Sequence, residues 1–307
     1  FHFSPFQGWM NDPNGLCWFQ GRYHLFYQYN PHVQEWGNMY WGHAVSRDLV
    51  RWVHLPVCFQ PQPEVLENPL RKGGAYSGSA VVQDGRMILF FTRHDGPLRS
   101  GPETREWQVS CSSADGLTFT PEETVVRRPA PEVSFDFRDP KVFRDEEGWK
   151  MVLGSKVGET PAILLFASSD LVHWNYRGPL LEEPSDLGIR SVECPDFFPL
   201  DGTWVAVGAL MNYTDPDGCY QPTRYRLGRW DGTHFTEEHA GTYDFGGDFY
   251  AVQSFEHAGR RIALGWVSDF YGEHRPEEDG AYGSFTLPRE LLVRDGRLCQ
   301  RPVREVY

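Results

Sequence analysis

Short apolar runs occur in pairs along the chain, and a glycine stands in the turn between the two runs of each pair. Residues 16–19 precede the first of these glycines and residues 22–27 follow it. The five turn glycines are Gly21, Gly85, Gly148, Gly202 and Gly259. Short runs rich in aromatic and β-branched residues on both sides of such a turn predict a β-hairpin. The glycines are 64, 63, 54 and 57 residues apart, so the pattern predicts five repeats of one structural unit.

Four of the repeats also contain an aspartate four residues before an aromatic residue. These pairs are Asp48 and Trp52, Asp115 and Phe119, Asp170 and Trp174, and Asp231 and Phe235. The fifth repeat has a shorter version, Asp295-Gly296-Arg297-Leu298. Because an aspartate side chain can bind its own backbone in a turn, we expect this position to connect the two outer strands of a four-stranded unit.

Five units of four short strands predict an all-β fold, a five-bladed β-propeller. A β-sandwich would lack this repeat, and an α/β barrel would need helical stretches between its strands. An aromatic content of 15%, with 31 glycines and 23 prolines, also favours short strands and tight turns. No linker rich in glycine, serine or proline divides the chain, so residues 1–307 are predicted to form a single domain.

The innermost strands of a propeller line its central channel, so equivalent positions in the five repeats meet at one end of that channel. The residues nine positions before the turn glycines are Asp12, Tyr76, Asp139, Glu193 and Tyr250. Taken singly, Asp12 and Asp139 fit ordinary turn residues, whereas an acid such as Glu193 at the start of an apolar strand is uncommon. Three acids at one repeat position predict a functional site, because desolvated charge is costly unless it is paired or used.

The charge and the cysteines narrow the possible partners. The net charge of −13 argues against a nucleic acid or an anionic membrane surface as partner. The chain has no run of about 18 apolar residues, so no membrane span is predicted. Its six cysteines are scattered without a C-x-x-C pair, which predicts free thiols and no zinc site. Such thiols slightly favour the cytoplasm, but the sequence leaves the compartment open.

The three acids lie in three short segments. These are Trp9-Met10-Asn11-Asp12-Pro13-Asn14-Gly15, Arg138-Asp139-Pro140 and Glu193-Cys194. Together they resemble the signature motifs of glycoside hydrolase family 32, the invertase and fructanase family. The resemblance extends over practically the whole chain and implies a five-bladed propeller, in agreement with the repeats. Members of that family usually carry a C-terminal β-sandwich, and the resemblance implies that this chain lacks it. The surface that the sandwich normally covers would then be available for a homo-oligomer.

The resemblance implies a retaining β-fructofuranosidase, which releases fructose from sucrose and fructo-oligosaccharides by double displacement. It implies that Asp12 is the nucleophile, Glu193 the general acid/base and Asp139 the stabiliser of the transition state. No cofactor and no metal are implied, since carboxylates supply both the proton and the covalent intermediate. The candidate substrate-binding residues are Asn11, Gln28, Trp36, Ser77, Arg138, Tyr250 and Trp266. Arg138 is also expected to keep the neighbouring Asp139 ionised.

Several aromatic residues near the motifs have two interpretations. Trp41 and Trp266 fit either an apolar wall for the sugar or ordinary packing between strands. Phe249 is a further candidate for the pocket, where it would close the bottom together with Tyr250. His43 is interpreted as a hydrogen-bonded histidine of the core rather than as a catalyst.

Three alternatives stay open at this stage. A fructosyltransferase would use the same three acids and pass the fructosyl group to a sugar instead of water. Another five-bladed glycosidase, acting on arabinosides or xylosides, would often invert, with its two acids about 6.5–9.5 Å apart. A non-catalytic sugar-binding propeller would be expected to lack one of the acids.

Overall fold

The computed structural model describes residues 2–272 and 280–307, and it consists almost entirely of β-strands. The strands form five sheets, each built around four antiparallel strands that follow one another along the chain. The innermost strand of each sheet lies beside the innermost strand of the next. The sheets are therefore the blades of a five-bladed β-propeller, which confirms the fold predicted from the five repeats.

The first four blades have the same simple order. Blade 1 contains β1 (Gly8–Phe19), β2 (Arg22–Asn30), β3 (Tyr40–Ser46) and β4 (Trp52–Phe59). Blade 2 contains β5 (Arg71–Gln83), β6 (Arg86–Pro97), β7 (Arg105–Ser113) and β8 (Glu123–Arg127). Blade 3 contains β9 (Arg138–Asp145), β10 (Gly148–Val157), β11 (Thr160–Ser168) and β12 (Asn175–Glu182). Blade 4 contains β13 (Ser191–Leu200), β14 (Thr203–Met211), β15 (Thr223–Trp230) and β16 (Phe235–Thr242).

The fifth blade contains β17 (Phe249–His257), β18 (Arg260–Val267), β21 (Arg289–Arg294) and β22 (Arg297–Pro302), together with one short additional strand, β20 (Ser284–Phe285). Another short strand, β19 (Ala281–Tyr282), precedes β20 in the chain but lies beside β1 in the sheet of blade 1. The described helical segments are α1 (Pro63–Leu66) and two 3₁₀ turns, Ser185–Leu187 and Arg304–Val306. None of the described helices is long and apolar enough to cross a membrane.

The short strands β19 and β20 close the ring. β19 pairs in parallel with β1, with Trp9 opposite Tyr282, and the two rings stack with centroids 5.1 Å apart. β20 pairs with β18, and the N–H of Phe285 donates to the carbonyl of Phe3 at 2.8 Å. Residues 280–285 therefore join the first blade to the fifth.

Tight turns connect the two inner strands of the blades. Both residues have positive φ angles in Gln20-Gly21, Asp84-Gly85, Asp201-Gly202 and Ala258-Gly259. A two-residue turn of this geometry matches the right-handed twist of the paired strands, and glycine adopts positive φ without strain. Four of the five turn glycines thus form the predicted hairpins directly. In blade 3 the two turn residues are Glu146 and Glu147, and Gly148 is the first residue of β10.

The aspartates that recur before aromatic residues lie between the two outer strands of blades 1 to 4, as the sequence predicts. In each turn the aspartate Oδ1 accepts the backbone N–H groups two and three residues further on, at 2.7–3.0 Å. Such bonds lower the pKa of Asp48 to about 2. In blade 5, Asp295-Gly296 is instead a two-residue turn between β21 and β22, which explains its shorter spacing.

Each innermost strand contains a β-bulge at the same level of the channel. The bulged pairs are Asn11-Asp12, Tyr76-Ser77, Asp139-Pro140, Cys194-Pro195 and Ala251-Val252. A bulge interrupts strand pairing and changes the direction of its side chains. Asp139, Cys194 and Ala251 have φ angles of 65°, 47° and 51°, which residues other than glycine rarely adopt. Side chains from all five blades are thereby directed to one end of the channel.

Candidate active site

A pocket of about 460 Å³ lies at the end of the channel where the innermost strands begin. Side chains from all five blades line it. The lining includes the three candidate catalytic acids and the seven candidate substrate-binding residues: Asn11, Asp12, Gln28, Trp36, Ser77, Arg138, Asp139, Glu193, Tyr250 and Trp266. The repeat positions thus bring the three acids together, although they are far apart in the chain.

Hydrogen bonds fix both oxygens of Asp12 in the first bulge. The amide of Asn11 donates to Oδ1 at 2.9 Å, and the hydroxyl of Ser77 donates to Oδ2 at 2.5 Å. The indole N–H of Trp9 in turn donates to Oδ1 of Asn11 at 2.8 Å. Burial raises the pKa of Asp12, and the charge of Glu193 acts in the same direction against the two hydrogen bonds. This carboxylate is held in one orientation at the pocket wall.

Glu193 is also held at both oxygens. The Nε of Arg138 donates to Oε1 at 3.0 Å, and the hydroxyl of Tyr250 donates to Oε2 at 2.5 Å. The next residue, Cys194, places its sulfur 3.5 Å from Oδ2 of Asp12. The bulge in β13 therefore brings Glu193 to the same part of the pocket as Asp12.

Asp139 is tied to two neighbouring blades. Its Oδ2 accepts the backbone N–H of Cys194 at 2.8 Å, across the boundary between blades 3 and 4. Its own N–H donates to the hydroxyl of Thr92 in blade 2 at 3.0 Å. These contacts stabilise the left-handed backbone conformation of Asp139, which costs free energy in any residue other than glycine.

The guanidinium of Arg138 binds three carboxylates. Its Nη1 donates to Oε1 of Glu106 at 2.5 Å, Nη2 to Oδ1 of Asp136 at 2.6 Å and Nε to Glu193. The charge of Arg138 lowers the pKa of Asp139, which is the direction that the sequence predicts, but other influences are larger. Burial and the charge of Glu193 outweigh the effect of Arg138, and they hold the pKa of Asp139 well above its usual range. The effect of Arg138 on Asp139 is smaller because its guanidinium hydrogen bonds go to Glu106, Asp136 and Glu193 and none goes to Asp139.

Aromatic side chains form much of the remaining wall. Trp36 is 43% exposed and meets the edge of Tyr76, with ring centroids 6.1 Å apart. Trp266 is buried, and its ring meets that of Phe270 edge-on at 5.7 Å. Gln28 also lines the pocket, and its side-chain amide donates to the carbonyl of Ala75 at 2.9 Å.

Three other sequence candidates lie away from the pocket. Trp41 is fully buried and packs on Phe91 at the boundary of blades 1 and 2, with centroids 5.1 Å apart. Phe249 stacks on Tyr243 at 5.4 Å instead of closing the pocket beside Tyr250. His43 is buried and hydrogen-bonded to another histidine, as the sequence interpretation has it.

Residues 2–302 match the family described as "Glycosyl hydrolases family 32 N-terminal domain". The chain belongs to glycoside hydrolase family 32. This result confirms the resemblance carried by the three motifs, and it argues against the alternative of a five-bladed glycosidase for arabinosides or xylosides.

Individual members of family 32 are similar to this chain over its full length. It is 38% identical to sucrose-6-phosphate hydrolase of Zymomonas mobilis, a match that covers 100% of this chain and 62% of that protein. It is 36% identical to raffinose invertase of Escherichia coli, covering 100% and 64% respectively. A family 32 glycoside hydrolase from Bifidobacterium adolescentis has a similar structure, with a TM-score of 0.95, 38% identity and coverage of 100% and 59%. The chain thus spans less than two thirds of the length of these relatives.

Some residues of this family 32 site carry no signal in the repeats. His94 borders the pocket and Glu106 binds Arg138, yet both lie on the middle strands of blade 2. Asp136 lies just before β9 and accepts bonds from both Arg138 and Arg190. The positions nine residues before the turn glycines lie only on the innermost strands, so they do not include His94, Glu106 or Asp136. The sequence does contain polar residues two positions apart in these strands, such as Glu106 and Gln108, and this spacing indicates that they share one face of the blade.

The cysteines, histidines and acids of this chain are the side chains that could bind a metal ion. All six cysteines are free, as the sequence predicts. Among residues 2–272 and 280–307, no group of three or more His, Cys, Asp or Glu side chains is arranged to hold a metal ion.

Proposed function

We propose that this chain is a retaining β-fructofuranosidase, which hydrolyses the fructosyl bond of sucrose and fructo-oligosaccharides. The observation that carries the proposal is the meeting of Asp12, Asp139 and Glu193 in one pocket. Sucrose 6-phosphate and raffinose, which name two of the relatives, share a terminal β-fructofuranosyl unit joined to glucose. A fructosyl group is therefore the part of the substrate that this pocket is proposed to bind.

In the first step, a carboxylate oxygen of Asp12 attacks the anomeric carbon C2 of the fructosyl unit. The bond from C2 to the leaving oxygen breaks, and the proton of Glu193 passes to that oxygen. In the second step, the Glu193 carboxylate takes a proton from water, whose oxygen attacks C2 and releases Asp12. Fructose leaves with the same anomeric configuration as the substrate. The hydrogen bonds that Asp12 accepts from Asn11, Ser77 and Cys194 support this role, because they hold its carboxylate in one orientation.

Asp139 is proposed to stabilise the transition state by binding sugar hydroxyls beside C2. The charges of both Glu193 and Asp12 act on its carboxyl, and this closeness to both acids supports the role. Asn11, Gln28 and Ser77 are proposed to bind further hydroxyls, with Trp36 and Trp266 as apolar walls. The pocket volume of about 460 Å³ is in the range of small-molecule sites, about 300–1,000 Å³, and accommodates a disaccharide.

The test is a panel of sucrose, raffinose, inulin, levan and sucrose 6-phosphate, with released fructose measured for each. A reaction with added methanol then reports stereochemistry, since retention forms methyl β-D-fructofuranoside. We expect fructose from at least sucrose or sucrose 6-phosphate and only the β-methyl product. No fructose from any substrate, or the α-methyl product, would overturn the proposal. Products longer than the donor at high sucrose would instead identify a fructosyltransferase.

A further inference from the structure

Four polar side chains are buried together on one face of blade 2. Thr92 and His94 lie on β6, and Glu106 and Gln108 lie directly opposite them on β7. Residues spaced by two along a strand project from the same face, so the two pairs form one patch. We call these four residues the blade-2 patch. None of them is more than 7% exposed.

The blade-2 patch binds the backbone that leads into Asp139. The amide of Gln108 donates to the carbonyl of Phe137 at 2.7 Å, and Oε2 of Glu106 accepts the N–H of Phe137 at 2.5 Å. The hydroxyl of Thr92 accepts the N–H of Asp139. These bonds fix the backbone of residues 137–139, and none of the three side chains that form them lines the pocket.

Glu106 has an additional role in this patch. Its Oε1 accepts Nη1 of Arg138 at 2.5 Å and is 2.7 Å from Nδ1 of His94. The side chain of Glu106 has no solvent exposure and does not border the pocket. It therefore has no contact with a bound sugar, and any effect on the reaction passes through its partners, which are Arg138, His94 and the N–H of Phe137.

The guanidinium is a rigid planar fork, so binding two of its nitrogens sets the direction of the third. Glu106 binds Nη1 and Asp136 binds Nη2, and this leaves Nε aimed at Oε1 of Glu193. We propose that Glu106 is a positioning residue, which through Arg138 holds the carboxyl of Glu193 toward the leaving oxygen. The inference rests on the proposed function, in which Glu193 is the general acid.

The test variant is Glu106→Gln. The partners of Glu106 at Oε2 and Oε1 include the N–H of Phe137 and the guanidinium of Arg138, which are both donors. In either orientation, the amide NH₂ of the glutamine faces one of them, so one contact is lost. Because misplaced acid catalysis slows bond breaking, we expect kcat/KM for sucrose to fall about tenfold or more, with KM changed less than about twofold.

Leaving-group dependence separates positioning of the acid from general disorder. 4-Nitrophenolate leaves without protonation, so hydrolysis of 4-nitrophenyl β-D-fructofuranoside does not need the acid. For this substrate we expect Glu106→Gln to lower kcat/KM by less than about threefold. Glu106→Asp keeps the charge but shortens the side chain, and a smaller loss with the same substrate dependence is expected.

The matched control is Glu183→Gln. Glu183 is likewise buried and accepts two bonds from Arg226, at 2.7 and 3.0 Å, but it lies outside the pocket. This variant is expected to lower the unfolding temperature while leaving kcat/KM for both substrates unchanged. Equal losses on both substrates in the two Glu106 variants, or no loss on sucrose, would overturn the positioning role. Wild-type protein that releases fructose from neither substrate would instead refute the proposed function.

Discussion

The sulfur of Cys194 lies 3.5 Å from Oδ2 of Asp12, although 182 positions separate the two residues in the chain. The contact joins the innermost strands of blades 1 and 4 and brings Glu193 beside Asp12. Burial and the surrounding carboxylates raise the pKa of Cys194 well above its usual value. The thiol therefore stays protonated and serves as a weak donor to the proposed nucleophile.

Replacing Asp12 by Ala tests the nucleophile. Without a carboxylate at this position no covalent intermediate forms, so we expect fructose release from sucrose to fall by about a thousandfold or more. The fold should persist, because the side chain of Asp12 bonds to other side chains at the pocket wall. Circular dichroism and thermal unfolding check the fold, and Asp186→Asn on the exposed 3₁₀ turn serves as a control with normal activity. Wild-type turnover by Asp12→Ala would remove Asp12 from the proposed role.

Replacing Tyr250 by Phe tests the second donor on Glu193. The hydroxyl of Tyr250 donates to Oε2 at 2.5 Å, and hydrogen bonds to charged groups contribute about 1.5–3 kcal/mol. We expect kcat/KM for sucrose to fall about tenfold to a hundredfold. Tyr243→Phe is the matched control, since Tyr243 is equally buried but its hydroxyl has no hydrogen-bond partner among the described residues. Equal kinetics of the two variants would contradict this account.

The fold was predictable because each repeat is marked by residues that act on their immediate neighbours in the chain. Turn glycines, apolar runs and turn aspartates each act over a few residues, so five copies are visible without any alignment. The meeting of Asp12, Asp139 and Glu193 followed from the same repeats, since equivalent strands enter one channel. Family membership then agreed with the motifs around these acids.

The electrostatics of the site were less predictable. The neighbouring positions of Arg138 and Asp139 indicated a pair, but the bulge at Asp139 separates their directions and Arg138 binds other acids. Glu106 lies in a different blade from Arg138, and no periodicity connects two residues on such strands. A contact between the ends of two long side chains can be predicted only when the packing of the blades is known.

Two buried histidines predict a loss of stability in weak acid. Nδ1 of His24 is 3.1 Å from Nε2 of His43, and burial lowers their pKa values to about 4 and about 3. Since these values lie below the ordinary 6.5, the unfolded chain binds more protons between about pH 6.5 and 4. The contribution of these two histidines to the free energy of unfolding is complete above about pH 6.5. It falls as the pH decreases, by up to about 1.4 kcal/mol per pH unit for each histidine.

Urea unfolding at pH 5 and pH 7 measures this dependence. His43→Phe keeps a ring against Phe26, which stacks on His43 with centroids 4.1 Å apart, and removes one titrating group. We expect the variant to lose less unfolding free energy than the wild type between the two pH values. His234→Asn, at an exposed turn, should keep the wild-type dependence. An unchanged pH dependence in His43→Phe would show that the buried pair is not its source.

Replacing Asp139 by Asn should stabilise the protein while reducing fructose release. The pKa of Asp139 is raised by burial and by the charge of Glu193, so the folded state holds this proton more tightly than the unfolded chain. Such a group stabilises the fold at low pH, and that contribution is lost as the pH rises through its folded pKa. The substituted amide is neutral at every pH, and its Oδ1 can still accept the N–H of Cys194.

The gain should therefore be largest near pH 7.5 and shrink toward pH 4. We expect Asp139→Asn to have a higher free energy of unfolding than the wild type at pH 7.5, because the neutral amide avoids burying a charge beside Glu193. Asp196→Asn is the contrasting variant, because Asp196 is buried 3.2 Å from Nζ of Lys141 and its loss leaves a buried cation unpaired. That variant should lose about 3 kcal/mol or more. If Asp139→Asn were no more stable than the wild type at pH 7.5, burial and repulsion by Glu193 would not destabilise the ionised form of Asp139, and the raised pKa would be contradicted.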